Sequence, residues 1–308
     1  MNLRFIASDS LGTRSMCSLI ETKYGRIMID PGAALGPWRY GLRPHEIEFE
    51  TLKRHKEKIV EEAKDVDIFI ITHYHYDHFP RPREDIEWLK GKRILIKDPL
   101  NMINFSQRWR SKVFLDKLRK IGARPRVADS KRFRLGRCKI KFSNPVKHGN
   151  DERLGYILEV LIETDDGRIL YTSDVEGIVD DEQLDFILKS EPNLVICDGP
   201  MTYMLGTRFR EKDLERSIQN LAKVLKMDSL ESLLLDHHLL RDLDWKTWLK
   251  PVFEEAKTLN KKVFTAASYM GVEEKLLEAM RRELYGFSKQ PSREHAINTT
   301  QRFRPKPK

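Results

Sequence analysis

Apolar residues along the chain fall into short runs of two kinds, and the difference between them predicts the elements. One kind is β-branched and compact, as in Val66-Asp67-Ile68-Phe69-Ile70-Ile71, "PNLVICDG" and "SLESLLLD". These read as short strands buried on both faces. The other kind spreads apolar positions at helical spacing, which predicts helices at about 45–64, 106–120, 180–189, 211–226, 245–259 and 271–284, with strands between them. "PHEIEFETLKRHKEKIVEEAKD" carries charge along most of its length, as an exposed helix covering one side of a sheet does.

Two of the strand-like stretches repeat. "LIETKYGRIMIDPG" (19–32) and "LIETDDGRILYTSD" (161–174) align without a gap over L-I-E-T-x-x-G-R-I. Each reads as a hairpin whose short turn carries Gly25 or Gly167. A helical stretch and another apolar strand follow each copy, so the chain reads as two similar halves. Two copies do not make a solenoid.

Composition narrows the class. At 308 residues the chain is long for one domain, but a sandwich with insertions accommodates it. Residues 1–287 are expected to form that domain, and 288–308 a basic extension. No leader-like or membrane-length apolar run is visible, and Cys17, Cys138 and Cys197 lack pairing spacings, which fits a reducing, cytoplasmic setting. All three lie in or beside apolar runs and read as small buried hydrophobes. Charged residues make up 33%, above the usual quarter, which points to a hot environment.

The net charge of +9 invites a nucleic-acid reading, but the last 21 residues hold six basic residues and one acidic one, leaving about +4 elsewhere. The second basic block is 104–137. There Trp109, Val113, Phe114, Leu118 and Ile121 fall near helical spacing, so one face is core and the basic face is either a binding surface or solvated.

The candidate chemistry sits in "FIITHYHYDHFP" (69–80), directly after a predicted strand. In extended backbone His73, His75 and Asp77 share a face, while His78 needs a turn to join them and Pro80 supplies a stop. Imidazoles and a carboxylate converging without a thiolate suit Zn, Fe or Mn.

This stretch resembles the signature of the metallo-β-lactamase superfamily. The resemblance implies an αββα four-layer sandwich, an α/β fold built from two similar halves, with the remaining ligands each at a strand end. Such positions follow in order: His148 in "CKIKFSNPVKHG", Asp174 in "GRILYTSDVEG", and His237 and His238 in "SLESLLLDHHLLRD". By resemblance His73, His75 and His148 hold one divalent ion, Asp77, His78 and His237 the second, and Asp174 bridges them. His237 is preferred to the adjacent His238, and the choice between them stays open. The expected catalytic residues are Asp77, Asp174 and His238, and the metals are expected to be two zinc ions, with manganese or iron as alternatives.

The opening "IASDSLGTRSMCSLIETKYGRIMIDPG" resembles the phosphodiesterase-like branch, in which the place of Asp30 braces the histidine loop. The resemblance is nearest to archaeal members without an assigned substrate. It implies hydrolysis through a metal-bridging hydroxide, of a phosphodiester in a nucleotide or nucleic acid, with thioester or lactone hydrolysis and di-iron redox chemistry as alternatives. The expected partners are an anionic small molecule or a nucleic acid and, for assembly, a homo-oligomer, with no membrane. Glu176, Lys147, His238 and Arg241 flank the candidate ligands and are candidates for anion binding or leaving-group protonation. The loop 31–44, with Trp38, Arg39, Tyr40 and Arg43, could overhang the metals or simply pack. His45 and His55 fall in the first helix and read as solvated.

Overall fold

The computed structural model describes residues 1–288, so the expected basic tail lies, apart from Ser288, outside the described residues. The first half forms a six-stranded sheet in chain order: β1 (Asn2–Ser8), β2 (Met16–Thr22), β3 (Gly25–Ile29), β4 (Ile68–Ile71), β5 (Arg93–Ile96) and β6 (Arg126–Val127). The second half forms a seven-stranded sheet from β7 (Arg132–Leu135), β8 (Cys138–Phe142), β11 (Val160–Thr164), β12 (Gly167–Tyr171), β13 (Leu194–Asp198), β14 (Ser232–Asp236) and β15 (Lys262–Phe264), in the order β15-β14-β13-β12-β11-β8-β7. Between β8 and β11 in sequence, β9 (Val146–Lys147) and β10 (Tyr156–Ile157) make a separate small ribbon.

The repeat read from the sequence is reproduced residue by residue. In the first hairpin Ile20 pairs with Ile27, Glu21 with Arg26 and Thr22 with Gly25; in the second Ile162 pairs with Ile169, Glu163 with Arg168 and Thr164 with Gly167. Gly25 and Gly167 adopt φ of +135° and +134°, a region that side chains rarely enter, so both turns demand glycine. Each hairpin is followed by a parallel strand, β4 beside β3 and β13 beside β12.

Strand alternation explains the continuous apolar runs. Ile20, Ile27 and Ile70 join Ile140, Ile162, Tyr171 and Ile196 in a core between the two sheets. Their neighbours Leu19, Met28 and Phe69 face the opposite way, in a cluster with Ile59, Phe114 and Leu118 of helices α1 (Glu46–Ala63) and α2 (Phe105–Lys120). On the other side Leu170, Val195 and Leu235 cluster with residues of α3 (Asp181–Ser190) and α4 (Glu211–Leu225), Leu184 and Leu221 among them. Both faces of both sheets are therefore buried. The result is the expected αββα layering, and no described helix is long and apolar enough to cross a membrane.

Two helices differ from expectation. The stretch 245–259 divides into α5 (Trp245–Trp248) and α6 (Lys250–Thr258), with Pro251, which has no N–H to donate, in the first turn of α6. The stretch 271–284 is mostly irregular beyond α7 (Ala266–Tyr269), and only α8 (Arg281–Leu284) is helical. Tertiary partners take its polar groups: Lys275 N donates to Ser10 O at 2.7 Å, and Thr265 Oγ1 donates to Glu274 at 2.8 Å.

A charged cluster couples α1 to the first sheet. Arg4 on β1 and Arg26 on β3 both donate to Glu62, at 2.9 and 2.6 Å. Hydrogen bonds from Arg4 above all, with Arg26 and Lys58 adding to them against the effect of burial, hold the Glu62 carboxyl at about 2. A carboxylate lowered in the folded state stabilises it above the unfolded value of about 4.5 and loses that contribution as pH falls towards the folded value. Glu62→Gln is therefore expected to be less stable than the native chain at pH 7, with the gap closing between pH 4.5 and 2. Urea unfolding at pH 7, 4 and 3 measures it, and a gap independent of pH would remove the ion cluster as its source.

Candidate metal centre

The strands β4, β12, β13 and β14 run parallel or nearly so in their two sheets and end near one another, and the candidate ligands follow those ends. After β4 the chain passes through Thr72 and turns, bringing His73, His75, Asp77 and His78 together. His73 and His78 are fully buried. The turn is fixed by Asp30, the residue after β3, which adopts φ of +50°. Its Oδ1 accepts from Thr72 N at 2.8 Å, and its Oδ2 accepts from Thr72 Oγ1 at 2.6 Å, from Tyr171 OH at 2.8 Å and from His78 Nδ1 at 2.9 Å. The Asp30 contact assigns the His78 proton to Nδ1 and leaves Nε2 facing Asp174 Oδ1 at 3.0 Å. Gly32 allows the close approach, since a Cβ there would lie 2.2 Å from Phe79 N.

The other residues arrive singly. His148 follows β9, and its Nε2 lies 3.2 Å from Asp174 Oδ2 and 3.1 Å from His75 Nδ1. His73 Nε2 reaches the same His75 nitrogen at 3.1 Å and the same Asp174 oxygen at 3.5 Å. His237, the first residue after β14, turns at φ of +60° and puts Nε2 3.5 Å from Asp174 Oδ2 and 3.8 Å from Asp77 Oδ2. Thus His73, His75, His148 and Asp174 form one group, and Asp77, His78 and His237 a second, with ligand atoms in each within 4.8 Å of one another. Asp174, His237 and His238 form a further group of this kind. All seven expected ligand positions come together.

These donors fit divalent ions. His75 Nδ1 lies 3.1 Å from both His73 Nε2 and His148 Nε2, two contacts for one ring position, while His78 Nε2, Asp174 Oδ1 and His148 Nδ1 are buried without a hydrogen-bond partner. Burial lowers His73 to about 4 and His75 well below the ordinary histidine range, the neutral form that ligates. Burial also opposes charge on His148 and His237, yet Asp174 with Glu176 raises the first to about 9, and Asp174 with Asp9 raises the second to about 10. Against burial, His78 and His237 keep Asp77 and Asp174 well below the usual carboxylate range. Two charged carboxylates thus lie in a buried pocket whose protonated histidines take the place of cations.

Residues behind the donors orient them. Asp9, in a short turn after β1, accepts from His237 Nδ1 at 2.8 Å and from Arg241 Nε at 2.9 Å. Asp198, at the end of β13, accepts from His238 Nδ1 at 2.9 Å. The sequence does not single out Asp9 or Asp198. The only sequence signal was position, since both end strand-like runs as Asp174 does. Of the flanking candidates, Arg241 lies behind His237 and is almost fully buried, and Glu176 Oε1 is 3.5 Å from His148 Nδ1. Lys147 instead pairs with Asp180 at 2.8 Å, at the start of α3. Within the loop 31–44, Arg39 donates to Arg241 O at 2.6 Å, so the loop packs on the turn that follows β14. His55, expected to be solvated, instead shares a hydrogen bond of 2.7 Å with Thr13.

The Asp30 brace carries a quantitative expectation. Asp30→Asn keeps the volume but sets an amide donor among donors, and the affinity for divalent metal is expected to fall 10–100-fold. Competition with a chromophoric zinc chelator measures this, and unchanged affinity would rule out the brace as a determinant of binding.

Comparison with known proteins agrees with this geometry. Residues 12–79, from the turn before β2 to the histidine loop, match the family described as the metallo-beta-lactamase superfamily. A UPF0282 protein of Sulfurisphaera tokodaii is 48% identical over 95% of this chain and 96% of its own length. Among solved structures, the isothiocyanate hydrolase from Delia radicum gut bacteria aligns with a TM-score of 0.53 at 18% identity, over 82% of this chain and 94% of that one. Unliganded yeast PDE1 aligns with a TM-score of 0.51 at 14% identity, over 85% of this chain and 96% of that one. At such identities the structural matches speak for the fold.

Proposed function

We propose, on the premise that the chain belongs to the UPF0282 family and is a metal-dependent hydrolase of the metallo-β-lactamase superfamily, that it cleaves phosphodiesters with two divalent ions, zinc foremost. His73, His75 and His148 would hold one ion, Asp77, His78 and His237 the other, and Asp174 both. The observation that carries this reading is the central place of Asp174, with Oδ1 3.0 Å from His78 Nε2 and Oδ2 3.2 Å from His148 Nε2. A pair of divalent ions activates water and neutralises charge on the attacking and leaving oxygens of an in-line displacement, which suits phosphorus.

The chain's own groups supply orientation and proton handling. Asp30 and Asp9 accept from the Nδ1 atoms of His78 and His237, so both rings present Nε2 to the centre. Arg241, charged and buried against Asp9, keeps that aspartate in place. Burial keeps His238 neutral, well below the ordinary histidine range, and its Nδ1–H rests on Asp198. That leaves His238 Nε2 as the ring atom able to exchange a proton with a leaving oxygen. No thiol takes part, because Cys17, Cys138 and Cys197 are buried at places outside these donor groups.

The test is a substrate comparison on protein loaded with zinc, manganese or iron, together with elemental analysis. Hydrolysis of bis(p-nitrophenyl) phosphate at two equivalents of metal is the expected result. Turnover confined to an acyl thioester or a lactone would overturn the phosphodiester reading, and iron with oxygen uptake and no hydrolysis would overturn hydrolysis itself.

A further inference from the structure

We propose that a basic groove at the far edge of the second sheet binds the sugar-phosphate backbone of a single-stranded nucleic acid. The groove, of about 730 Å³, is bordered by eight cationic side chains and by Glu163 as its one carboxylate. That local charge of +7 exceeds the +4 or so carried by residues 1–287 as a whole, so the rest of the body is net acidic.

The register of the sheet makes this concentration costly. On β7 and β8 the residues Phe133, Cys138, Ile140 and Phe142 enter the core between the sheets, which puts Arg132, Arg134, Lys139 and Lys141 on the opposite face. Antiparallel pairing sets Arg132 directly against Lys141, and Arg134 directly against Lys139. Like charges in cross-strand pairs destabilise a sheet. Lys139 is offset by Glu163 at 2.7 Å, but Lys141 faces Leu161 on β11 and lies 5.1 Å from the ring of Phe186.

Of the remaining cations, Arg168 pairs with Glu191 at 3.5 Å and Lys189 with Asp185 at 2.7 Å, and four arginines stay uncompensated. Among the described residues Arg132 and Arg134 have no carboxylate within ion-pair reach, and neither do Arg93 and Arg126, which arrive from the edge of the first sheet. Arg93 donates twice to Arg134 O, at 3.0 Å each, and Arg126 stacks 5.1 Å from the ring of Phe133. The fold thus holds the guanidinium groups of Arg93 and Arg126 in place beside the exposed Arg132 and Arg134, all four without a carboxylate partner among the described residues.

The groove is separate from the metal centre. Arg168 is the second residue of β12 while Asp174 follows its end, and Arg93 is level with Ile68, five residues before His73. At about 3.3 Å per residue the two places are roughly 15–20 Å apart along the strands. The proposal therefore stands whatever bond the metal centre cleaves.

The chemistry selects the occupant. Planar guanidinium groups match phosphate oxygens in pairs, and cations repeating along a strand match a repeating anion better than a single phosphate. A concave site of this size encloses a small length of chain rather than the convex side of a duplex. Basic grooves with aromatic rings beside them are the usual setting for single strands.

The test is fluorescence anisotropy of a labelled 12-nucleotide single-stranded DNA on the full-length, metal-loaded protein. The variant Arg132→Gln, Arg134→Gln, Lys141→Gln is compared with a control of equal charge loss, Lys53→Gln, Lys246→Gln, Lys250→Gln, whose lysines are exposed elsewhere. Both retain the basic tail. The groove variant is expected to bind at least tenfold more weakly at 0.1 M salt, with a slope of log K against log salt shallower by about 2, at about 0.7 per lost phosphate contact. The control should stay within twofold of the native chain. The groove variant should also melt at a higher temperature, since it loses opposed like charges, which separates lost binding from lost folding. Equal weakening in both variants, no binding by the native chain, or equally tight groove-dependent binding of duplex DNA or polyglutamate would overturn the proposal. Hydrolysis of bis(p-nitrophenyl) phosphate, assayed alongside, reports on the metal centre separately.

Discussion

Asp174→Ala is expected to lower hydrolysis by well over 100-fold and to bring the metal content from two equivalents to one or fewer. Its carboxylate is the one donor that touches both groups: Oδ2 is 3.5 Å from His73, 3.2 Å from His148 and 3.5 Å from His237, and Oδ1 is 3.0 Å from His78. Losing a partner behind a ligand typically costs 10–100-fold in affinity or activity, and Asp174 stands in front of the ligands rather than behind them. Asp30→Asn, which acts through His78 and the turn that carries it rather than as a shared donor, should therefore sit between the native chain and Asp174→Ala in both readouts. Elemental analysis, initial rates and a melting curve on the same preparations decide the matter. Activity within tenfold of native at full metal content would show that the two groups do not share Asp174.

The legibility of this site in the sequence follows from how its residues are spaced. His73, His75, Asp77 and His78 are neighbours in the chain, so their chemistry could be read directly, and the repeated hairpins could be read because glycine is forced at Gly25 and Gly167. His148, Asp174 and His237 arrive one per strand end, where a lone residue looks like any turn, and only the family resemblance singled them out. Asp9 had no signal of that strength, because the histidine it orients lies 228 positions away. Asp198 was hidden in the same way. The stretch 271–284 has helical spacing, but tertiary hydrogen bonds to Ser10 and Thr265 outcompete the local preference. The sequence shows a basic block over 104–137, whereas the cations without a carboxylate partner are Arg126, Arg132, Arg134 and Lys141, with Arg93 joining from another strand. Pairing register, which the sequence does not state, brings them together.

The loop 31–44 shows how a distant pair can govern a site's surroundings, and Glu48→Ala is expected to cost about 3–5 kcal/mol of stability. Glu48 on α1 and Arg281 on α8 are both fully buried, joined by bonds of 2.8 and 2.7 Å. Truncating Glu48 leaves a guanidinium buried without its counter-charge, which is the expensive way to break such a pair, whereas exposed pairs contribute about 1 kcal/mol or less. The double variant Glu48→Met, Arg281→Met should recover most of the loss, because it removes the stranded charge along with its partner. Recovery should stop short of complete for two reasons. Glu48 also accepts from His45 N at 2.8 Å and so caps α1, and Arg281 also donates to Gly36 O at 3.0 Å and Leu42 O at 3.2 Å. Those last two bonds fasten the loop whose Arg39 packs on Arg241, so faster amide exchange across 36–42 should accompany Arg281→Met. Urea midpoints for the single and double variants measure the pair. A loss below about 1 kcal/mol for Glu48→Ala would mean that water reaches Arg281 once Glu48 is gone, and that the loop is held by its own packing rather than by the buried charge.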